Sequence, residues 1–338
     1  MSNLVNPVVI FAEPIHPVAM EQIGSLIPYH ISKDPSEVAM INALTTKQYN
    51  PVALIVRGSL VPRSVLEACD TLCVIGRHGV GLNTVDIDAA TELGIGVVNT
   101  PAANKISVVE HVLGFLFCLT KNYIKWNKET KAGCGTQIRK EEKNIELEGK
   151  LLGIVGLGNI GLELALRAST LGINILAYDP FTSNAEASNI EMVNSLDTLL
   201  RKSDFVSLHV PLTQSTTHLI AKKELDLMKP SAYLINAARG KVVDENALVE
   251  ALRLNKIAGA ALDVFHEDPA PKVHPLYAFD NVLVTPHIAA RTEESILRVS
   301  ETVAENVIAF LKGNHPTYLA NPDIWKFRKI KKYNAFVI

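Results

Sequence analysis

"GIVGLGNIGLELA", residues 153–165, sets a strand-sized apolar run against three glycines and then a segment with apolar residues at helical spacing. Gly156, Gly158 and Gly161 form G-x-G-x-x-G where the strand gives way to the helix. The first glycine permits a tight turn, the second lets backbone approach a pyrophosphate, and the third lets helix and strand pack closely. The first turn of such a helix presents unpaired N–H groups and the positive end of its dipole to phosphate. Asp179 ends the next strand, eighteen residues beyond Gly161. A carboxylate there accepts ribose hydroxyls and repels a 2′-phosphate, and no arginine follows in "YDPFTSN" (178–184). The pattern predicts a dinucleotide site that takes NAD rather than NADP.

Around this unit, short apolar runs alternate with helix-period segments. On one side lie "PVVIFAEP" (7–14), "VALIVRG" (52–58), "LCVIGRHG" (72–79) and "IGVVNTP" (95–101). On the other lie "INILAYDP" (173–180), "FVSLHVPL" (205–212), "AYLINAA" (232–238), "AGAALDVF" (258–265) and "NVLVTPH" (281–287). Helical stretches between them include 244–255, with Asp244 as N-cap, a long helix from about Ser107, and a last one from about Arg291 to Gly313. Such alternation predicts right-handed crossovers and an α/β fold of two doubly wound parallel sheets. The charged, glycine-bearing segment 128–150 is expected as an exposed excursion.

Composition narrows the function. A chain of 338 residues, 48% hydrophobic, suits two packed domains. Its 33 Lys and Arg against 35 Asp and Glu give no general attraction to nucleic acid or an anionic membrane. The N-terminus has no basic leader pattern, and the best membrane candidate, 108–119, is too short and carries Glu110 and His111. Four cysteines without ligand spacing are read as buried free thiols in a reducing cytoplasm, and no metal is expected. The basic stretch "KFRKIKK" (326–332) is read as a solvated terminus, with an anion-binding patch as the alternative.

Hydride transfer to a 2-oxo acid needs a cation for the carboxylate, an acid for the carbonyl oxygen, and a partner that keeps that acid protonated. In an open α/β sheet these belong at the carboxyl ends of strands. "LINAARG" places Arg239 past one strand, "VLVTPHIAA" places His287 past another, and "LDVFHEDP" (262–269) places Asp263, Glu267 and Asp268 past a third. His209 lies within a strand and His111 within a helix, whereas His78 adjoins Arg77 at a strand end.

"GLGNIG", "INAARGKVVDENAL", "AALDVFHEDP" and "TPHIAARTEES", in that order, closely resemble the D-isomer-specific 2-hydroxyacid dehydrogenases, over about residues 50–320. The resemblance implies a flavodoxin-like substrate domain from both chain ends (1–102 plus 290–338), an inserted Rossmann NAD domain (103–289), and a homodimer. It implies Arg239 for the substrate carboxylate, His287 as acid/base, and Asp268 as its supporting carboxylate. Asp263 is placed near the nicotinamide carboxamide, and Asn159 and Ile160 under the pyrophosphate. Val210 and Ala237 join the cofactor set, and the backbone of Val80 and Gly81 meets substrate or nicotinamide. Three departures stand out: Asp268 replaces a glutamate, Asn83 an aspartate, and "KAGCG" lacks a tryptophan common after its glycine. The shorter Asp268 leaves Glu267 as an alternative partner for His287, while His266 is expected to be solvated. Arg57 and Arg77, ending two strands, suit a second anionic group on the substrate, such as a phosphate, phosphonate, sulfonate or distal carboxylate. The chain is expected to lack a regulatory amino-acid-binding domain. The rival reading is an NAD(H)-binding corepressor-like protein; a formate dehydrogenase would carry glutamine at 268.

Overall fold

In the computed structural model, which describes residues 7–141, 143–182 and 189–329, the apolar runs form two parallel sheets, each in its own unit. The end of the basic stretch, from residue 330, lies outside the described residues.

The unit built from residues up to Asn104 and from Thr292 onward has strands β1 (Pro7–Phe11), β2 (Tyr29–Ile31), β3 (Asn50–Val56), β4 (Val74–Arg77) and β5 (Gly96–Val98). Helices α1 (Pro17–Gly24), α2 (Glu37–Thr45), α3 (Arg63–Glu67) and α4 (Ile87–Glu92) separate them. Their order, β2-β1-β3-β4-β5, is the flavodoxin-like winding with its switch point between β1 and β3. Alternate residues of β1 feed two cores: Val8 and Ile10 face one, Val9 and Phe11 the other. Both faces of β1 and β3 being covered, these strands read as continuous apolar runs, and each fully buried aliphatic side chain contributes about 1.5–3 kcal/mol. The last long helix, Glu293–Leu311, packs Val303, Val307 and Phe310 onto the second core.

The unit from Lys105 to Arg291 opens with helices α5 (Lys105–Lys121), α6 (Tyr123–Lys131) and α7 (Gly135–Glu141). Its strands are β6 (Leu151–Val155), β7 (Asn174–Tyr178), β8 (Ile190–Met192), β9 (Phe205–Leu208), β10 (Tyr233–Asn236), β11 (Gly259–Leu262) and β12 (Val282–Val284). Crossover helices are α8 (Asn159–Ser169), α9 (Leu196–Lys202), α10 (Lys222–Leu227) and α11 (Glu245–Arg253). The order β12-β11-β10-β9-β6-β7-β8 is the Rossmann winding, reversing between β6 and β9. One register row decides where chemistry sits. Val155 pairs with Leu208, Leu208 with Asn236, Asn236 with Leu262, and Leu262 with Val284. Five strands therefore end at one level, and the residues that follow each of them emerge side by side.

The structure adds detail to the sequence expectations and corrects some of them. The three-residue strands β2 and β8, both largely unburied, do not stand out as apolar runs. The exposed excursion 128–150 is partly helical, holding the end of α6 and all of α7. Cys69 and Cys73 are buried free thiols, and burial pushes the Cys73 thiol up to about 12, but Cys118 is half-buried and Cys134 exposed. Among the described residues no helix is long and apolar enough to cross a membrane, and no cluster of His, Cys, Asp or Glu is arranged for a metal.

Candidate active site

The glycine-rich turn leaves β6 at Val155. Gly156 adopts φ +92°, a region open to glycine, and a side chain there would begin 2.8 Å from the His209 carbonyl oxygen. A side chain on Gly161 would begin 2.1 Å from the Gly156 carbonyl oxygen, so the first turn of α8 lies directly on the glycine turn. Gly158, the N-cap, provides no side-chain hydrogen bond to the first turn of α8, the end of a helix that suits an anion. Asp179 accepts the Leu157 N–H at 2.8 Å through one oxygen and the Phe181 N–H at 2.9 Å through the other. It ties the turn to the end of β7 and keeps acceptor capacity for ribose hydroxyls. The close-packed glycines, uncapped helix start and strand-end carboxylate fit an NAD-type dinucleotide. Val210, beside Gly156, and Ala237, just past β10, emerge on the same row.

Farther along that row, past β12, stands His287. His287 Nδ1 and Asp268 Oδ2 are 2.5 Å apart, so Asp268 is the partner, and exposed Glu267 has no hydrogen bond to the ring. The shorter carboxylate still reaches. His287 itself has φ +56°, unusual for a side-chain-bearing residue. Its backbone is held from β11: the His287 N–H donates to the Asp263 carbonyl at 2.7 Å. The wholly buried Asp263 carboxylate accepts the Thr285 hydroxyl at 2.6 Å and the N–H groups of Ile288 and Ala289 at 2.8 Å each. In this structure Asp263 closes the 285–289 loop around the histidine, a role the sequence reading did not give it.

Arg239 follows β10, with its carbonyl held by the Asn236 amide at 3.0 Å and its Nη1 donating to the Ala238 carbonyl at 2.6 Å. Burial lowers its pKa from the ordinary value, and the charge of Asp268 opposes that fall. Arg239, Asp268 and His287 thus belong to one cluster. Sequence reasoning missed His111 and Thr285. His111 Nε2 lies 3.0 Å from Thr285 Oγ1, whose proton goes to Asp263. Burial lowers the His111 pKa and Asp263 opposes the shift. A polar residue inside the apolar run "VVEHVLGFLF" was the available signal. His266 is half-buried, not solvated: its Nε2 donates to the Val243 carbonyl at 2.8 Å.

The other unit carries Arg57, Arg77, Val80 and Gly81. Arg57 Nε lies 3.6 Å from Glu13, which also accepts the Gly58 N–H and the Ser59 hydroxyl. Arg77 turns back to donate to the His78 carbonyl, and the Val80 carbonyl accepts the Asn99 amide at 2.9 Å. His78 is buried with its Nε2 2.8 Å from Ser300 Oγ, and burial, then Arg77 and Arg57, push it down to about 4. It is a neutral core histidine.

Residues 113–289 match the family model for the D-isomer specific 2-hydroxyacid dehydrogenase, NAD binding domain, which is half of the chain. Similarity to whole proteins extends further: the chain is 41% identical over 310 residues to a glyoxylate reductase of Thermofilum pendens, covering 90% of each. The chain belongs to the D-isomer specific 2-hydroxyacid dehydrogenases. Within this oxidoreductase family it is also 40% identical over 336 residues to a D-3-phosphoglycerate dehydrogenase of Methanocaldococcus jannaschii, covering 96% of this chain and 62% of that one. Against the corresponding enzyme of Archaeoglobus fulgidus the chain spans 50% of the relative's length. Among solved structures, an NADPH-dependent glyoxylate/hydroxypyruvate reductase from Sinorhizobium meliloti, in complex with NADP and malonate, superposes with a TM-score of 0.83. It is 26% identical, with 96% of this chain and 99% of that one covered.

Proposed function

We propose that this chain is an NAD-dependent dehydrogenase interconverting a small 2-oxo acid and the D-2-hydroxy acid. The observation that carries the reading is the gathering of Arg239, Asp268 and His287 past β10, β11 and β12, on the row that also bears the glycine-rich turn. Arg239 grips the substrate carboxylate with its planar fork. His287 offers Nε2 to the carbonyl oxygen, because Nδ1 is occupied by Asp268, and donates its proton as that oxygen becomes a hydroxyl. Asp268, paired with Nδ1, stabilises the imidazolium before transfer. When bound, the nicotinamide supplies the hydride. In oxidation His287 takes the hydroxyl proton instead.

Asp179 supports NAD over NADP, since a carboxylate so placed repels a 2′-phosphate. Arg57 and Arg77 are assigned to a second anionic group on the substrate, which favours a phosphate-, phosphonate- or sulfonate-bearing acid, with hydroxypyruvate and glyoxylate as the simpler alternatives. The resemblance supports a homodimer. Loss of NADH absorbance with glyoxylate, hydroxypyruvate, phosphohydroxypyruvate and phosphonopyruvate tests the reading. Turnover with at least one is expected. Tight NADH binding without turnover on the whole panel would favour a binding protein instead.

A further inference from the structure

Glu245 opens α11, but the helix does not need its carboxylate. Asp244 already caps it, accepting the N–H groups of Asn246 at 3.0 Å and Ala247 at 3.1 Å. A glutamate in the first turn of an amphipathic helix usually projects into water, where it gains from the helix dipole. This one is turned inward, its side chain only 15% exposed. One oxygen accepts the His266 N–H at 2.7 Å, and the other accepts His274 Nε2–H at 3.2 Å. His274 Nδ1 accepts the Leu276 N–H at 3.2 Å, which fixes the ring proton on Nε2, facing the glutamate. From the other side, His266 Nε2 donates to the carbonyl of Val243. The segment 243–245 therefore holds His266 by two hydrogen bonds, two residues before Asp268.

The same segment begins at the substrate arginine. Gly240 follows Arg239, and a side chain on it would begin 1.9 Å from the Phe265 carbonyl oxygen and 2.6 Å from the His266 nitrogen. The 265–266 peptide is thus wedged against residue 240 and tied to residue 245. Arg239 leaves one end of this clamp, and Asp268 leaves the peptide it grips. We propose that Glu245 is a positioning residue: it locks the loop bearing Asp268 to the segment bearing Arg239, and so sets the 2.5 Å pair between Asp268 and His287. The inference rests on the roles given above to Arg239, Asp268 and His287.

Without the carboxylate, the half-buried His266 N–H and His274 Nε2–H lose their acceptor, and the loop is free to shift. A displacement near 1 Å in catalytic geometry lowers rate by about 10²-fold. Glu245→Ala is expected to reduce kcat by about that factor while leaving NADH affinity unchanged, because no part of the clamp touches the glycine-rich turn. Glu245→Gln keeps an oxygen for His266 but turns an amide donor toward His274, so its kcat should fall between the two. The Gln variant also keeps the test alive if the Ala variant does not fold. A second readout is independent of turnover: the downfield proton resonance of His287 Nδ1 in the short bond to Asp268, assigned by its loss in His287→Gln. It should vanish or move upfield in Glu245→Ala and persist in the unsubstituted chain. Normal kcat and an unmoved resonance in both variants overturn the clamp, as does a loss of kcat matched by an equal loss of NADH affinity. Lack of turnover by the unsubstituted chain with every acid would overturn the functional reading alone, since the resonance still decides the clamp.

Discussion

Replacing Asp268 with asparagine isolates the carboxylate's charge from its shape. The pair with His287 is short, 2.5 Å, yet the two side chains are 59% and 42% exposed. An ion pair so open to water contributes about 0–1 kcal/mol to folding, so Asp268→Asn should shift the unfolding midpoint little. Its effect on the reaction is larger, because the imidazolium that donates the proton needs a negative partner and the amide supplies none. A hydrogen bond to a charged group is worth about 1.5–3 kcal/mol, which corresponds to roughly a 10- to 150-fold fall in kcat. The amide can also present its NH₂ to Nδ1 and leave the proton on Nε2 in a neutral ring, a poorer acid. NADH affinity should not change, because Asp268 is remote from the turn at Gly156 to Gly161. The assay is steady-state NADH oxidation on whichever acid the panel identifies, with NADH affinity read by fluorescence and stability by urea titration. Glu267→Gln is the matched control and should behave as the unsubstituted chain. The reasoning fails if Asp268→Asn keeps kcat within a factor of two, or if Glu267→Gln falls as far.

Four other outcomes follow. Arg57→Ala should raise KM selectively for substrates with a second anion; an equal rise for glyoxylate in the same kinetic series would remove that assignment. Asp179→Ala frees the Leu157 and Phe181 N–H groups and removes the repulsion of a 2′-phosphate, so the ratio of kcat/KM with NADH to that with NADPH should fall by at least 10-fold. His78 is held near 4 in the folded chain against 6.5 when unfolded, so above pH 6.5 neither state binds its proton, and as pH falls toward 4 only the unfolded state does. Stability should therefore decline over that window by roughly 3 kcal/mol from this residue, and urea midpoints at pH 7 and pH 4 should differ less in His78→Gln. His287→Asn should abolish turnover with little change in thermal midpoint, because asparagine tolerates the left-handed backbone found there.

Much of this was legible because parallel strands covered on both faces must be apolar throughout, so charged residues stand out where those strands end. Arg239, Asp263 and His287 are visible in the sequence for that reason, and the register row explains why they emerge at one level. What stayed hidden depends on partners distant in the chain. His111 meets Thr285 across 174 positions: its place in an apolar helical run marks it as unusual but does not say which loop it contacts. Glu245 looks like any first-turn glutamate until the 265–266 peptide is seen against Gly240. The strands β2 and β8 escaped because three residues with little burial leave no periodic trace. The choice between Asp268 and Glu267 turned on loop direction, which a one-carbon difference in reach did not reveal.

The backbone at His287 shows how the fold sustains a costly arrangement. A left-handed conformation costs a residue with a side chain roughly 1–2 kcal/mol, and it persists only where the surroundings over-determine it. Here one carboxylate does so: Asp263 takes the Thr285 hydroxyl and the N–H groups of Ile288 and Ala289, while its carbonyl takes the N–H of His287. Each of these bonds fixes one atom of the 285–289 loop, so the loop cannot relax to an ordinary backbone without leaving a buried carboxylate oxygen or an N–H group without its partner. The strand end then gains what a relaxed loop would not provide, a histidine directed by its backbone instead of by a flexible side chain. Read this way, Asp263 acts first on the loop, with any contact to the cofactor added to a carboxylate already spoken for by three donors.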